Sequence, residues 1–238
     1  SAAYISKMIA SYNLPPFLHL VAVSLFGGTV AAIFGFLVGG STLRLRGDYL
    51  AIITLAFGEI IKYVIQNLEF LGGATGLKNI PTLANFTDYY FIVVICVIII
   101  TMAMTSRKGR AVLSIRENEI AAENIGININ KVKLYGFVFS AFFAGVGGSL
   151  FAHSLGILTP DKFGFLFSIE ILVMVVFGGL GSITGALLSA LLLTLLNEKL
   201  REVSQFRYLV YAVILIVLMI FRPDGVFGKK ELTIPRFV

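Results

Sequence analysis

The chain has 238 residues, 58% of them hydrophobic and 13% charged, with a formal net charge of +6 and a mean hydropathy of +0.93. A soluble domain carries roughly 25% charged and about 45–50% apolar residues, so this chain lacks the polar surface to coat a globule in water, and the bilayer has to act as solvent. The excess of basic residues would suggest nucleic acid as a partner of a soluble protein. Here those residues lie in loops between apolar runs without interleaved aromatics, which fits membrane topology and argues against nucleic acid.

In chain order, the first apolar run is Phe17 to Val38, uncharged after His19 and long enough to cross a hydrocarbon core of about 30 Å. Gly35 and Gly39 form a G-x-x-x-G pair near its end, a spacing that favours close helix–helix contact. Tyr49 to about Gln66 is apolar but holds Glu59 and Lys62, and Tyr89 to about Ser106 is an uncharged run rich in β-branched residues. At that length a membrane helix is expected rather than a strand. Leu134 to about Leu155 follows, and Tyr208 to Phe221, bracketed by Arg207 and Arg222, reads as a last, short span whose arginines reach the two interfaces.

Between these lies Phe163 to Asn197, apolar with the single charge Glu170 and interrupted by Gly178-Gly179-Leu180-Gly181-Ser182. Two short halves around glycines predict a helical hairpin or a broken, re-entrant element, tolerated at membrane depth where it is buried or lines a wet cavity. Gly178, Gly179 and Gly181 are the candidate hinge. The expected fold is therefore an all-α integral membrane protein, a polytopic helical bundle with a Gly-broken hairpin.

Charge placement suggests the orientation. One side would hold Arg44, Arg46, Arg107, Lys108, Arg110, Arg116, Lys131, Lys133, Arg222, Lys229, Lys230 and Arg236, which is 12 of the 19 Lys and Arg residues. The other would hold 6, namely Lys7, Lys78, Lys162, Lys199, Arg201 and Arg207, with Lys62 inside a span. The richer side is expected to be cytoplasmic, provided that Phe163–Asn197 leaves and returns on the opposite side. The chain opens on Ser1-Ala2-Ala3-Tyr4, with no initiator methionine and no signal-peptide pattern, so it is expected to be cut from something longer.

Cys96 is the sole cysteine, inside an apolar run, and His19 and His153 stand far apart. Neither a disulfide nor a metal-ligand cluster is expected. Gly72-Gly73-Ala74-Thr75-Gly76-Leu77-Lys78 lacks the spacing of a phosphate-binding loop, so no cofactor is expected on this chain, and any ATP would be bound by a partner.

Glu59 and Lys62 share a helix face, and Thr54, Gly58, Lys62 and Gln66 continue a polar stripe at every fourth position. Ionisable groups at membrane depth usually face a bundle interior or an aqueous path. Thr54, Glu59 and Lys62 are thus candidates for a translocation path, with an internal ion pair that locks helices together as the equal alternative. The longest hydrophilic stretch is Arg107–Lys133, within a loop at 105–133. In it, Glu117 to Ile125 reads as a short helix ended by Gly126 in the left-handed conformation. It would be either a handle for a partner or a solvated loop helix.

The sequence resembles the permease of branched-chain amino-acid ABC importers, specifically the M-type of the two paired permeases. The resemblance lies in Leu43-Arg44-Leu45-Arg46-Gly47-Asp48-Tyr49-Leu50-Ala51-Ile52-Ile53-Thr54-Leu55, in Gly58-Glu59-Ile60-Ile61 and in the glycine-rich run 72–77. It continues in Gly109-Arg110-Ala111, Ile115-Arg116-Glu117-Asn118-Glu119-Ile120-Ala121-Ala122, Ser168-Ile169-Glu170, the run 178–182 and Arg222-Pro223-Asp224-Gly225. It implies a single transmembrane permease domain over 1–238 that lacks N-terminal spans, in the plasma (inner) membrane of a prokaryote. The implied partners are a second permease subunit, two cytoplasmic ATP-binding subunits, an extracytoplasmic substrate-binding protein and the lipid bilayer. It also implies that Glu119, Ala121, Ala122 and Gly126 belong to the helix that couples to the ATPase, although Ile120 separates Glu119 from the two alanines.

The implied activity is ATP-driven import of branched-chain, hydrophobic amino acids by alternating access, with no chemistry on the cargo. Urea or short amides are rival substrates within the family. An ion-coupled secondary transporter or channel would also show Gly-broken spans and intramembrane charges. A membrane-embedded enzyme finds no nucleophile–base pair or metal cluster to rest on.

Overall fold

The computed structural model describes residues 2–9, 15–43, 45, 48–69, 72–82 and 85–199, with isolated positions 213, 216, 221 and 225. Among these the protein is mainly helical, with no strand beyond a single bridge, and it divides into two compact units, Ser1–Gly164 and Phe165–Val238. In the first unit α1 is Ala2–Ile9, α2 Pro16–Thr42, α3 Asp48–Asn67, α4 Phe86–Thr105, α5 Arg107–Glu117, α6 Glu119–Asn124 and α7 Ile129–Leu155. In the second, α8 is Phe165–Gly178 and α9 Ile183–Lys199. By length and composition α2, α3, α4 and α7 can each cross a membrane, and the protein is an all-α, polytopic membrane protein.

The helices begin where the sequence supplies caps. α2 opens on Pro15-Pro16, where a missing N–H costs nothing. Asn85 and Asp88 close a capping box at the start of α4, with the Asn85 N–H donating to Asp88 Oδ2 at 2.9 Å. The Asn128 carboxamide oxygen accepts from the Lys131 N–H at 3.1 Å. The helical runs therefore start earlier than the apolar runs alone suggest, at Phe86 and Ile129 rather than Tyr89 and Leu134.

The first unit is built around the contact of α2 with α7. Glycines on α2 let the two backbones approach. A Cβ on Gly28 would meet Phe142 and Val146, one on Gly35 would lie 2.6 Å from the Ala141 methyl, and one on Gly39 would press on Phe137 and Leu134. Gly145 of α7 meets Gly27 and Ala31 in return. Close packing without side chains between is the usual means of holding membrane helices, where water contributes no hydrophobic drive. Helix α4 joins them through Ile92, which clusters with Leu20, Val146 and Leu150.

One end of this unit is clasped by loops. Leu77 and Leu158 exchange both backbone hydrogen bonds, each 2.9 Å, and the Ile80 N–H donates to Gly156 O at 3.0 Å. Lys7 of α1 donates to Lys78 O at 2.6 Å, and Ala3 packs with Ile80 and Ala152. At the other end lie Leu43, α5, α6 and the first turns of α7. Of the expected grouping, Leu43 and the 105–133 loop lie at this end and Lys7, Lys78 and Lys162 at the other, while Arg44 and Arg46 lie outside the described residues.

The second unit contains a tight antiparallel hairpin of α8 and α9. At 14 and 17 residues these helices are about 21 and 26 Å long, each short of a full crossing. Their contact narrows at Gly178 and Gly185, which face one another so closely that a Cβ on either would strike the other's carbonyl. Gly179 and Gly181, with φ of +117° and +99°, make the turn, and the Ser182 hydroxyl caps α9 by accepting from the Gly185 N–H at 3.1 Å. The expected Gly-broken hairpin is thus present. Gly225, at φ +84°, sits against the Gly179 backbone. The last span at 208–221 with Arg207 and Arg222, and the motif residues Arg44, Arg46 and Gly47, lie outside the described residues, save for positions 213, 216 and 221.

Candidate functional site

Two places in the first unit concentrate polar or exposed groups against their surroundings. The first is α6. The sequence suggests one helix from Glu117 to Ile125, but Glu117 belongs to α5 and the chain breaks at Asn118, which is extended (φ −157°, ψ 110°). The break arises because the Asn118 side chain accepts from the Ala121 N–H at 3.0 Å and so starts a new helix. Glu119 reaches back to Lys133 on α7 at 2.8 Å, and Ala122 is buried, at 2% exposure. At the C-terminus the Ile127 N–H donates to Ala122 O and the Gly126 N–H to Glu123 O, at 3.1 and 2.9 Å. With Gly126 at φ +86°, this is a Schellman closure.

The residues matched by the motif thus divide. Glu119 and Ala122 fix α6 in place, Gly126 ends it, and Ala121 faces outward. Besides the exposed Ala121, Glu123 and Asn124, two isoleucines face outward, Ile120 on α6 and Ile125 at its C-cap, 74% and 75% exposed. Reasoning from the motif passes over both. Their signal was available, since they are bulky apolar residues inside the most hydrophilic stretch of the chain.

The second place is on α3. Lys62 Nζ lies 3.4 Å from Glu59 Oε2 and 5.3 Å from the Tyr63 ring centroid. It also lies against the buried backbone of Gly164, where a Cβ would come within 3.1 Å. One turn on, Gln66 Nε2 donates to Asp161 Oδ1 at 2.6 Å. The stripe that the sequence outlines therefore grips the Pro160–Phe163 turn of its own chain. Beside it is a mainly apolar cavity of about 270 Å³, lined by Gly58, Ile61, Lys62 and Ile65 of α3 and by Tyr4, Leu77, Leu158 and Phe163. A cavity of this kind, with one ammonium in its wall, suits a small, largely apolar molecule. Thr54 is not brought there. Its hydroxyl donates to Leu50 O and Ala51 O at 2.9 and 3.0 Å within its own helix. Among the described residues no three His, Cys, Asp or Glu side chains converge as a metal site would need.

The chain matches the family described as the branched-chain amino acid transport system permease component over residues 1–221. It belongs to that family. It is 34% identical over 233 residues to LivM of Escherichia coli, the high-affinity branched-chain amino acid transport system permease protein, an alignment covering 83% of this chain and 55% of LivM. It is 31% identical over 224 residues to BraD of Pseudomonas aeruginosa, which bears the same description, covering 85% of this chain and 72% of BraD. A more distant likeness, 26% identity, extends to the ribose import permease RbsC of Haemophilus influenzae, over 96% of this chain and 74% of RbsC. The chain spans about half the length of the LivM relatives it matches. No solved structure matches it. These relatives are named as permease components.

Proposed function

We propose that this permease is a transmembrane subunit of an ATP-driven importer of branched-chain amino acids, in the inner membrane of a prokaryote. The names of LivM and BraD support the cargo, and α6 supports the mechanism. In this reading two cytoplasmic ATP-binding subunits, a second permease and an extracytoplasmic binding protein complete the assembly. The bilayer surrounds the spans, with the Arg- and Lys-rich 105–133 end in the cytoplasm. The transport step is alternating access between two membrane conformations, biased by ATP binding in the partner chains.

The observation that carries the proposal is the rigid exposure of Ile120 and Ile125. An apolar pair exposed on a six-residue helix and its C-cap costs free energy in water unless something covers it. The Glu119–Lys133 ion pair ties this helix to α7, and the Gly126 closure fixes its C-terminal end, so a force applied to it is transmitted to α7. Docking on an ATP-binding subunit would cover the pair and supply that force. In this reading Thr54, Glu59 and Lys62 on α3 are candidates for the translocation path, with an internal Glu59–Lys62 ion pair as the equal alternative, and Gly178, Gly179 and Gly181 are the candidate hinge of the hairpin.

The test is Ile120→Asp with Ile125→Asp in the assembled complex. The charged pair should abolish docking of the ATP-binding subunits and cut leucine uptake at least tenfold, with the permease still inserted. Urea uptake in place of leucine uptake by the unaltered complex would move the proposal to the amide carriers of the family.

A further inference from the structure

The hairpin of the second unit holds a polar pair that the reading above does not use. Glu170 is the single charged residue between Phe163 and Asn197. It lies on the second turn of α8, and Asn197 lies near the end of α9, so the antiparallel hairpin brings them together at the end remote from the glycine turn. Asn197 Nδ2 donates to Glu170 Oε1 at 2.6 Å. That bond fixes the amide orientation, because the flipped amide would set two acceptors against each other. Among the described residues it also leaves Asn197 Oδ1 buried without a hydrogen-bond partner. Below the pair the hairpin interior is apolar, made of Val173, Met174, Phe177, Leu193 and Leu196. Among the described residues no Lys or Arg nitrogen lies within 4.0 Å of the Glu170 carboxylate.

The pair therefore offers two acceptors, the second Glu170 oxygen and Asn197 Oδ1, with a negative charge, beside the second Asn197 N–H. A buried acceptor without a partner is an unusual and costly feature of a native fold, and a carboxylate within a membrane hairpin needs a compensating positive group. We infer that this end of the α8–α9 hairpin binds a small monovalent cation, held by the Glu170 carboxylate and Asn197 Oδ1. Two sources have that chemistry. One is the α-ammonium group of the transported amino acid, which rests on the function proposed above. The other is a free inorganic cation such as sodium. A primary ammonium fits the first case well, since its three N–H donors can meet two oxygens at once.

The test uses the full chain in lipid nanodiscs, unaltered and as Glu170→Gln, with Glu170→Asp as a variant that keeps the charge. Thermal midpoints are measured with methylammonium, sodium or tetramethylammonium chloride at equal ionic strength, and with L-leucine or 4-methylpentanoate, its analogue without the amino group. Methylammonium should raise the midpoint of the unaltered chain and tetramethylammonium should not. Glu170→Gln should weaken the methylammonium response at least tenfold, and Glu170→Asp should retain part of it. Protection by leucine but not by 4-methylpentanoate, lost in Glu170→Gln, assigns the site to the amino group of the substrate. Protection by sodium alone, again lost in Glu170→Gln, assigns it to an inorganic ion. The same midpoints in the unaltered and Glu170→Gln chains with every cation overturn the inference. If the assembled complex takes up no leucine while methylammonium protection still depends on Glu170, the transport reading fails and the cation site stands.

Discussion

Gly35 of α2 faces Ala141 of α7 so closely that a Cβ on Gly35 would stand 2.6 Å from the Ala141 methyl. Real Cβ atoms do not approach to that distance, so one helix must shift to admit a side chain. Gly35→Ala should destabilise the permease by about 1–3 kcal/mol, the range for overpacking a filled contact. Gly35→Ala with Ala141→Gly moves the methyl to the other helix and should recover most of the loss. Thermal midpoints in nanodiscs give all four corners of the cycle, and purely additive effects would show that the two positions do not meet.

Glu59 and Lys62 form a partly exposed pair, 34% and 17% at the side chain, 3.4 Å apart. This lies between an exposed pair, worth about 0–1 kcal/mol, and a fully buried one, where loss of one partner costs about 3–5 kcal/mol. Glu59→Gln should therefore cost about 1–2 kcal/mol and impair assembly or uptake, and adding Lys62→Gln should restore part of it. Equal damage from the single and double changes would mean that Lys62 answers to another partner.

Gly126 has open space where a Cβ would stand, so the penalty for replacing it comes from its left-handed backbone and not from a clash. Gly126→Val should cost about 1–2 kcal/mol locally and lower uptake and substrate-stimulated ATP hydrolysis together. Gly126→Asn, whose side chain tolerates this conformation, should keep both. Leucine uptake by the two variants separates backbone strain from side-chain bulk.

The orientation predicts cysteine accessibility. In a Cys96→Ser background, a cysteine at position 120 should react with an impermeant maleimide only from the cytoplasmic side, and one at position 78 only from outside. Labelling of position 120 in intact cells would invert the topology.

The long elements are legible in the sequence because each is an apolar run ended by prolines, glycines or charge, as in Phe17–Val38 after Pro15-Pro16 and Tyr89–Ser106 between Asp88 and Arg107. The hairpin turn is legible because the Gly178–Ser182 run supplies residues that accept positive φ. What escapes are features made by residues remote in the chain. Leu77 and Leu158 pair through backbone atoms, which carry no side-chain pattern, and α1 at Ala2–Ile9 is too short for periodicity to declare it. At the candidate coupling helix, motif matching selects Glu119 and Ala122, which are turned inward or tied. The outward isoleucines are evident only once Asn118 has set the helix phase.

The two-way bond between Leu77 and Leu158 also bears on how this protein can move. It joins the turn before α4 to the segment that follows α7, and Lys7 and Gln66 add α1 and α3 to the same ring. A rim so joined resists shear between its elements, and a tilt of α7 about it would make that helix a lever. At 27 residues the lever is about 40 Å long. A tilt of about 5° at the rim would carry its far end, where Lys133 holds α6, through about 3.5 Å. Small rotations at one face of the membrane thus translate into displacements at the other that are large enough to open or close a passage.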